Sequence, residues 1–191
     1  LVDCSASMYD KMAETKKGIV LFHEALRELQ IFHEIVGFWE DAHGTLSNVY
    51  PNCFQTVIDF SLSLKPGAGA NVMQLMPQQD NRDGYAIRVM SERLSTRPEK
   101  QKVMLVFSDG EPAAADYHEE GVIDTYEAVQ QARRQGIEVI GVFLADGQIR
   151  ESEREMMRNI YGQWNVIVPH VSELSDHLTP LLRKLLIRTF Y

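Results

Sequence analysis

The sequence predicts an α/β protein, a Rossmann-like three-layer sandwich with a mostly parallel central sheet, one antiparallel edge strand and helices on both faces. Three observations carry this expectation. Short apolar runs alternate with helix-length amphipathic segments, the pattern of parallel strands joined by crossover helices. Two of the runs, "KVMLVFSD" (102–109) and "IEVIGVFLA" (137–145), are apolar almost throughout, as strands buried on both faces are. A third extended stretch contains Pro51, which confines part of it to a sheet edge or a bulge.

The elements follow in chain order. Leu1 and Val2 read as the end of a strand that gives way at once to the polar "DCSAS". Ile19, Phe22, Leu26 and Leu29 then fall on one face of a helix over Met12–Gln30. "IFHEIVGFWE" (31–40) is short, β-branched and aromatic, hence a strand. The turn-like "EDAHG" leads into "TLSNVYPNCFQTVIDF", a hairpin partner for it. From Ser63 to Asp83 the pattern dissolves into a Gly-, Pro-, Asn- and Gln-rich loop with one helical turn at Val72–Leu75. Loops this long in compact domains are commonly functional. "GYAIRVMSERL" resumes a helix that stops near Pro98. After the strand at 102–109 comes a second polar loop. A helix then starts at "DTYEAVQQARRQG", with Asp124 and Glu127 in capping-box spacing and Gly136 as its stop. The strand at 137–145, a helix over "ESEREMMRNIYG", the short strand "NVIVP" and a leucine-faced helix over Ser172–Ile187 complete the chain.

With 191 residues, 45% of them hydrophobic and 24% charged, the chain is expected to form one soluble globular domain over 1–191. Its entry inside the first strand suggests the C-terminal part of a longer protein. A formal net charge of -8 argues against nucleic acid or an anionic membrane as the partner. No apolar run in the given sequence reaches membrane-spanning length, and no signal peptide is visible in it. Two cysteines, Cys4 and Cys53, exclude a disulfide framework, and Cys4 reads as a core thiol.

Three polar segments belong to the carboxyl edge of such a sheet, where ligands bind. Asp3, Ser5 and Ser7 leave the first strand, Asp80, Asn81 and Asp83 precede a helix, and Asp109 ends the strand "LVFSDGEP". All donate oxygen, so a hard cation is favoured: Mg²⁺, with Mn²⁺ or Ca²⁺ as alternatives. Singly, each residue reads equally well as a helix cap, Ser7 or Asp10 serving the first helix. The three segments together favour an ion. The six histidines show no ligand spacing and read as surface or cap residues. Asp116, Tyr117, His118, Glu119 and Glu120 form a solvated loop or a rim of the binding face.

This constellation resembles the metal-ion-dependent adhesion site (MIDAS) of the von Willebrand factor A domain family. That pattern is Asp-x-Ser-x-Ser at the first strand, a Thr on a second loop and an Asp after the fourth strand. "DCSAS" supplies Asp3, Ser5 and Ser7, and "SDG" supplies Asp109. The family's Thr position falls on Asn81, with Asp80 and Asp83 as substitutes. The resemblance implies Ser5, Ser7 and Asn81 as direct metal ligands, Asp3 and Asp109 acting directly or through water, and Asp83 as a loop-fixing carboxylate. "DNRDGYAIRVMSERL" and the "DGEP" extension resemble a bacterial intracellular branch. It holds the nitric-oxide-reductase activation protein, its Rubisco-activation counterpart and a cobaltochelatase subunit.

The resemblance implies a cytoplasmic, non-enzymatic adaptor for a MoxR-type AAA+ ATPase. It would act in activation of, or metal insertion into, a client protein whose acidic residue completes the metal shell. The chain carries no phosphate-binding G-x-x-x-x-G-K-[ST] loop and no G-x-S-x-G nucleophile elbow. The alternatives are a subunit of a cobalt- or magnesium-chelatase-like complex, an extracellular adhesion domain and a metal-dependent hydrolase.

Overall fold

The computed structural model describes residues 1–41, 50–110, 112–114, 117 and 120–189, without the side chains of 182 and 184–189. The strands are β1 (Val2–Asp3), β2 (Ile35–Glu40), β3 (Asn52–Ile58), β4 (Lys102–Ser108), β5 (Ile137–Leu144) and β6 (Asn165–Val168). The helices are α1 (Met12–Glu28), α2 (Asp83–Ser95), α3 (Glu120–Arg134), α4 (Glu151–Tyr161) and α5 (Leu174–Thr189). The strands form one sheet in the order β3-β2-β1-β4-β5-β6. β3 runs antiparallel to β2, with Trp39 opposite Cys53. Every other pairing is parallel, as the sequence predicts.

Side chains alternate along the central strands and divide the core in two. Met104 and Val106 of β4, with Val139 and Phe143 of β5, face the side covered by α2, α3 and α4. Phe107, Ile140, Val142 and Leu144 face the other side, covered by α1, α5 and the 3-10 segment Ala68–Gln74. Met156 and Ile160 of α4 and Leu174 and Leu178 of α5 are almost wholly shielded. Apolar burial on this scale is the main favourable term in folding, at roughly 25 cal/mol per Å².

Chain order reverses between β1, which neighbours β2, and β4, which leads to β5. In an open parallel sheet such a reversal leaves a crevice at the carboxyl ends of the two strands. Gly37 of β2 helps the site's loops to close over it. A Cβ there would lie 2.6 Å from Leu75 and 2.8 Å from the Cys4 sulfur.

Two boundaries differ from the sequence reading. β2 begins at Ile35 rather than at residue 31. Leu29 and Gln30, with a left-handed φ of 57° at Gln30, form a turn after α1, and residues 31–34 are irregular, His33 Nδ1 lying 2.7 Å from the Ile31 carbonyl. α3 begins at Glu120, which places Asp124 inside the helix and not at its cap. Most of the turn-like "EDAHG" and the first residues of the third extended stretch, 45–49, lie outside the described residues; among the described residues its strand runs from Asn52.

Candidate metal centre

The first loop is shaped by its own backbone. The Cys4 amide donates to the Phe38 carbonyl and keeps the chain in the sheet one residue past Asp3. The Ser5 amide then donates to Asp3 Oδ1 at 2.7 Å, an Asx-type turn of the kind that lets Asp end a strand. A 3-10 turn over Ala6–Met8 follows. It brings the Ser5 and Ser7 hydroxyls to 3.1 Å from each other. Neither Ser7 nor Asp10 caps α1; the cap position is Lys11.

The second loop is stitched to the ends of β1 and β2. Gln78 donates to the Cys4 carbonyl at 2.6 Å, Ala6 to Gln79 at 2.7 Å, and Glu40 and Asp80 exchange backbone bonds. This holds Asn81 and Asp83 in the crevice, both nearly shielded from solvent. The Asn81 side-chain nitrogen donates to Asp83 Oδ2 at 2.7 Å and reaches Asp3 Oδ2 at 3.4 Å. Its oxygen accepts from the Ala113 amide at 3.1 Å. In this orientation Asn81 meets the carboxylates as a donor, so a carbonyl ligand from Asn81 requires its amide to turn over. Asp83 opens α2, where the positive end of the helix favours a carboxylate.

The third segment follows β4. Asp109 Oδ1 accepts from the Ser7 hydroxyl at 2.7 Å, and Oδ2 meets the Lys11 ammonium at 2.6 Å. Ser108 Oγ lies 3.1 Å from Asp3 Oδ2. Thus Asp3, Ser5, Ser7, Asn81, Asp83 and Asp109, spread over the sequence, form one continuous polar network. Three participants escape sequence reasoning. Ser108 stands beside Asp109 in "SDG", the one signal that could have found it. Lys11 gives no signal, because a lysine at a helix start reads as surface. Glu40 ends β2 and is fully buried; its pairing with Arg82 at 2.6 Å depends on tertiary structure.

Arg82 also stacks 4.3 Å from the centre of the Tyr117 ring. The Tyr117 hydroxyl donates to Asp124, whose other oxygen pairs with Arg88 at 2.6 Å. The three loops around the crevice are therefore tied to one another and to α2 and α3. Tyr117 is a buried strut. Of the expected rim, Glu120 opens α3, while Asp116, His118 and Glu119 lie outside the described residues.

The electrostatics favour a cation. Burial raises the Asp3 carboxyl to about 7, and the charge of Asp109 adds to the rise. Asp83 is held well above the ordinary carboxylate range by burial and then by Asp3. Buried carboxylates short of positive charge are stabilised by a bound ion. Among the described residues, no three His, Cys, Asp or Glu side chains are arranged to hold a metal by themselves. An ion here depends on the serine hydroxyls as well, which suits a hard, oxygen-seeking cation and not zinc or copper. The donor set fits Mg²⁺.

Among the described residues, no histidine belongs to this network. His23 is fully buried, contrary to the surface or cap reading, with Nδ1 2.7 Å from His33 Nε2. Both line a cleft among Ile35, Lys102 and Ile137, at the amino ends of the strands.

Comparison with known proteins agrees with this fold. Residues 52–187 match the family model described as the cobalamin biosynthesis protein CobT VWA domain. The chain belongs to the CobT VWA-domain family. This VWA domain is 55% identical over 186 residues to the uncharacterized protein YojO of Bacillus subtilis, covering 97% of the chain and 29% of that protein. It is 31% identical over 90 residues to protein NorD of Brucella suis, covering 46% of the chain and 14% of NorD. The CobT-type domain thus spans under a third of the curated relatives it matches. In structure it is similar to the pilus adhesin SpaC of Lactobacillus rhamnosus, with a TM-score of 0.71 at 13% identity, over 96% of the chain and 29% of SpaC. At that identity the likeness is one of fold alone. Among the described residues no helix is long and apolar enough to cross a membrane.

Proposed function

We propose that this CobT/NorD-like VWA domain is a metal-dependent protein–protein interaction module, not an enzyme. In this reading it acts in the cytoplasm as an adaptor for a MoxR-type AAA+ ATPase, in activation of a client protein or insertion of metal into it. One observation carries the proposal: at the crevice between β1 and β4 the Ser7 hydroxyl bonds Asp109 and lies beside that of Ser5, the Ser5 amide donates to Asp3, and Asn81 joins Asp3 to Asp83. Ser5, Ser7, Asp3 and Asp109 would hold Mg²⁺, with Asp83 steadying the second loop through Asn81. When bound, the ion supplies an electrophilic docking point for an oxygen ligand. The Ser hydroxyls bring no negative charge to it, and a Glu or Asp of the partner completes its shell with a charge-assisted contact. Arg82 and Tyr117 keep the surrounding loops in place for that contact.

A second reading, a subunit of a cobalt- or magnesium-chelatase-like complex, draws support from the CobT family match. It uses the same docking chemistry with a different client.

The test is calorimetry with Mg²⁺ together with capture of partners from the source cells, with and without EDTA. Ser5→Ala with Ser7→Ala should abolish ion binding and ion-dependent capture, while circular dichroism stays native. Wild-type capture that the double substitution and EDTA both leave untouched would reduce the site to a structural feature.

A further inference from the structure

Lys11 occupies a position that local rules disfavour. It is the N-cap of α1 and makes no side-chain cap bond. Ser, Thr, Asp and Asn lead that position, and the partial positive charge of a helix start opposes a cation. Asp10, one residue earlier, is a better capping type. The lysine instead sends its side chain across the crevice, and its ammonium contacts Asp109 Oδ2 at 2.6 Å. The Asp109 side chain is 1% exposed and that of Lys11 is 18% exposed. The pair therefore has a shielded acceptor and a cation with an open path to solvent. A violation of local preference with a specific long-range contact is where function commonly lies.

The contact falls on the carboxylate that the docking reading needs. Asp109 Oδ1 is bonded to Ser7 and Oδ2 to Lys11, so the ammonium holds the oxygen opposite the hydroxyl ligands. A divalent ion near Asp109 repels Lys11, and the lysine must leave for the ion to bind well. Its partly exposed side chain leaves it a path to solvent.

We propose that Lys11 is a tethered competitor for the cation site, an internal ammonium that holds Asp109 until a divalent ion displaces it. Lys11 thereby lowers the site's ion affinity and restricts it to divalent cations. A monovalent ion brings no more charge than the ammonium and lacks its tether, so it gains nothing by the exchange. This inference rests on the ion-docking reading above.

The experiment measures thermal unfolding midpoints and Mg²⁺ calorimetry on the full chain for wild type, Lys11→Met, Lys11→Gln and Lys11→Arg. Lys11→Gln keeps a hydrogen-bond donor without the charge, which guards against a Met variant that folds poorly. In EDTA, Lys11→Met and Lys11→Gln should unfold at lower temperature than wild type, because Asp109 loses its counter-charge. With millimolar Mg²⁺ both should rise more than wild type, and their Mg²⁺ affinity should be about tenfold tighter, the scale expected on removing a like charge from a partly shielded site. Lys11→Arg should stay weak. NaCl or KCl at matched ionic strength should not reproduce the Mg²⁺ effect in wild type. Equal Mg²⁺ responses in wild type and the neutral variants would overturn the competitor role and leave ion docking standing. No Mg²⁺ response in any variant would overturn both, and a wild-type response to K⁺ equal to that with Mg²⁺ would overturn the restriction to divalent ions.

Discussion

Replacing Asp3 with asparagine should make the metal-free domain less sensitive to a rise of pH from 5 to 7. Asp3 is fully buried, and its folded pKa is raised from 3.8 to about 7, first by burial. Between those two values the folded protein retains a proton that the unfolded chain has released. Stability contributed by this group therefore falls as pH rises through the window, the reverse of a salt-bridged aspartate. At about 1.4 kcal/mol per pKa unit, and with the folded group half ionised at the upper end, the loss between pH 5 and 7 is about 2 kcal/mol. Asparagine keeps an oxygen for the Ser5 amide, which donates at 2.7 Å, and carries no charge to desolvate. Urea unfolding in EDTA at several pH values should show wild type losing stability relative to Asp3→Asn, by that amount, as pH rises. Taking the difference cancels the histidines, which titrate nearby. Mg²⁺ should abolish most of the difference by supplying the missing charge. A wild-type minus mutant difference that stays flat, or moves the other way with pH, would refute the reasoning.

Two further outcomes follow from geometry elsewhere. Gly84→Ala puts a methyl onto the Asp124 carboxylate, which is held by Arg88 and Tyr117; urea denaturation should show a loss of about 1–3 kcal/mol, smaller when Asp124→Ala is present. Burial lowers the pKa values of His23 and His33. Their contribution is therefore present above the ordinary value of 6.5 and lost as pH falls below it, so His33→Gln should flatten the acid side of the stability profile.

How much of this was legible in the sequence depends on the range of the interaction. The strands at 102–109 and 137–145 announce themselves because burial on both faces leaves no polar position to interrupt them. The antiparallel β3 follows from a proline and a nearby turn, both local signals. DxSxS and SDG marked Asp3, Ser5, Ser7 and Asp109, since strand ends in such sheets lie at one edge. The start of α3 was misplaced because Asp124 imitates a cap while its carboxylate serves Arg88 and Tyr117. Residues 31–34 looked extended by composition, but Gln30 turns the chain and His33 binds back. Burial of His23 and the reach of Lys11 were invisible, because each depends on a partner that only the folded chain brings near.

The unequal placement of the two cysteines offers a way to watch the site. Cys4 is fully buried and its thiol is pushed up to about 12 by burial, which leaves little thiolate to react at neutral pH. Cys53 is half-buried on β3, directly across the strand pair from Trp39. A maleimide dye should therefore attach at Cys53 and spare the thiol beside Asp3. An environment-sensitive dye there reports on the strand pair at the residue before Glu40, the carboxylate that grips Arg82. Rearrangement of the ion-binding loops would then appear as a change in colour from a single-label sample.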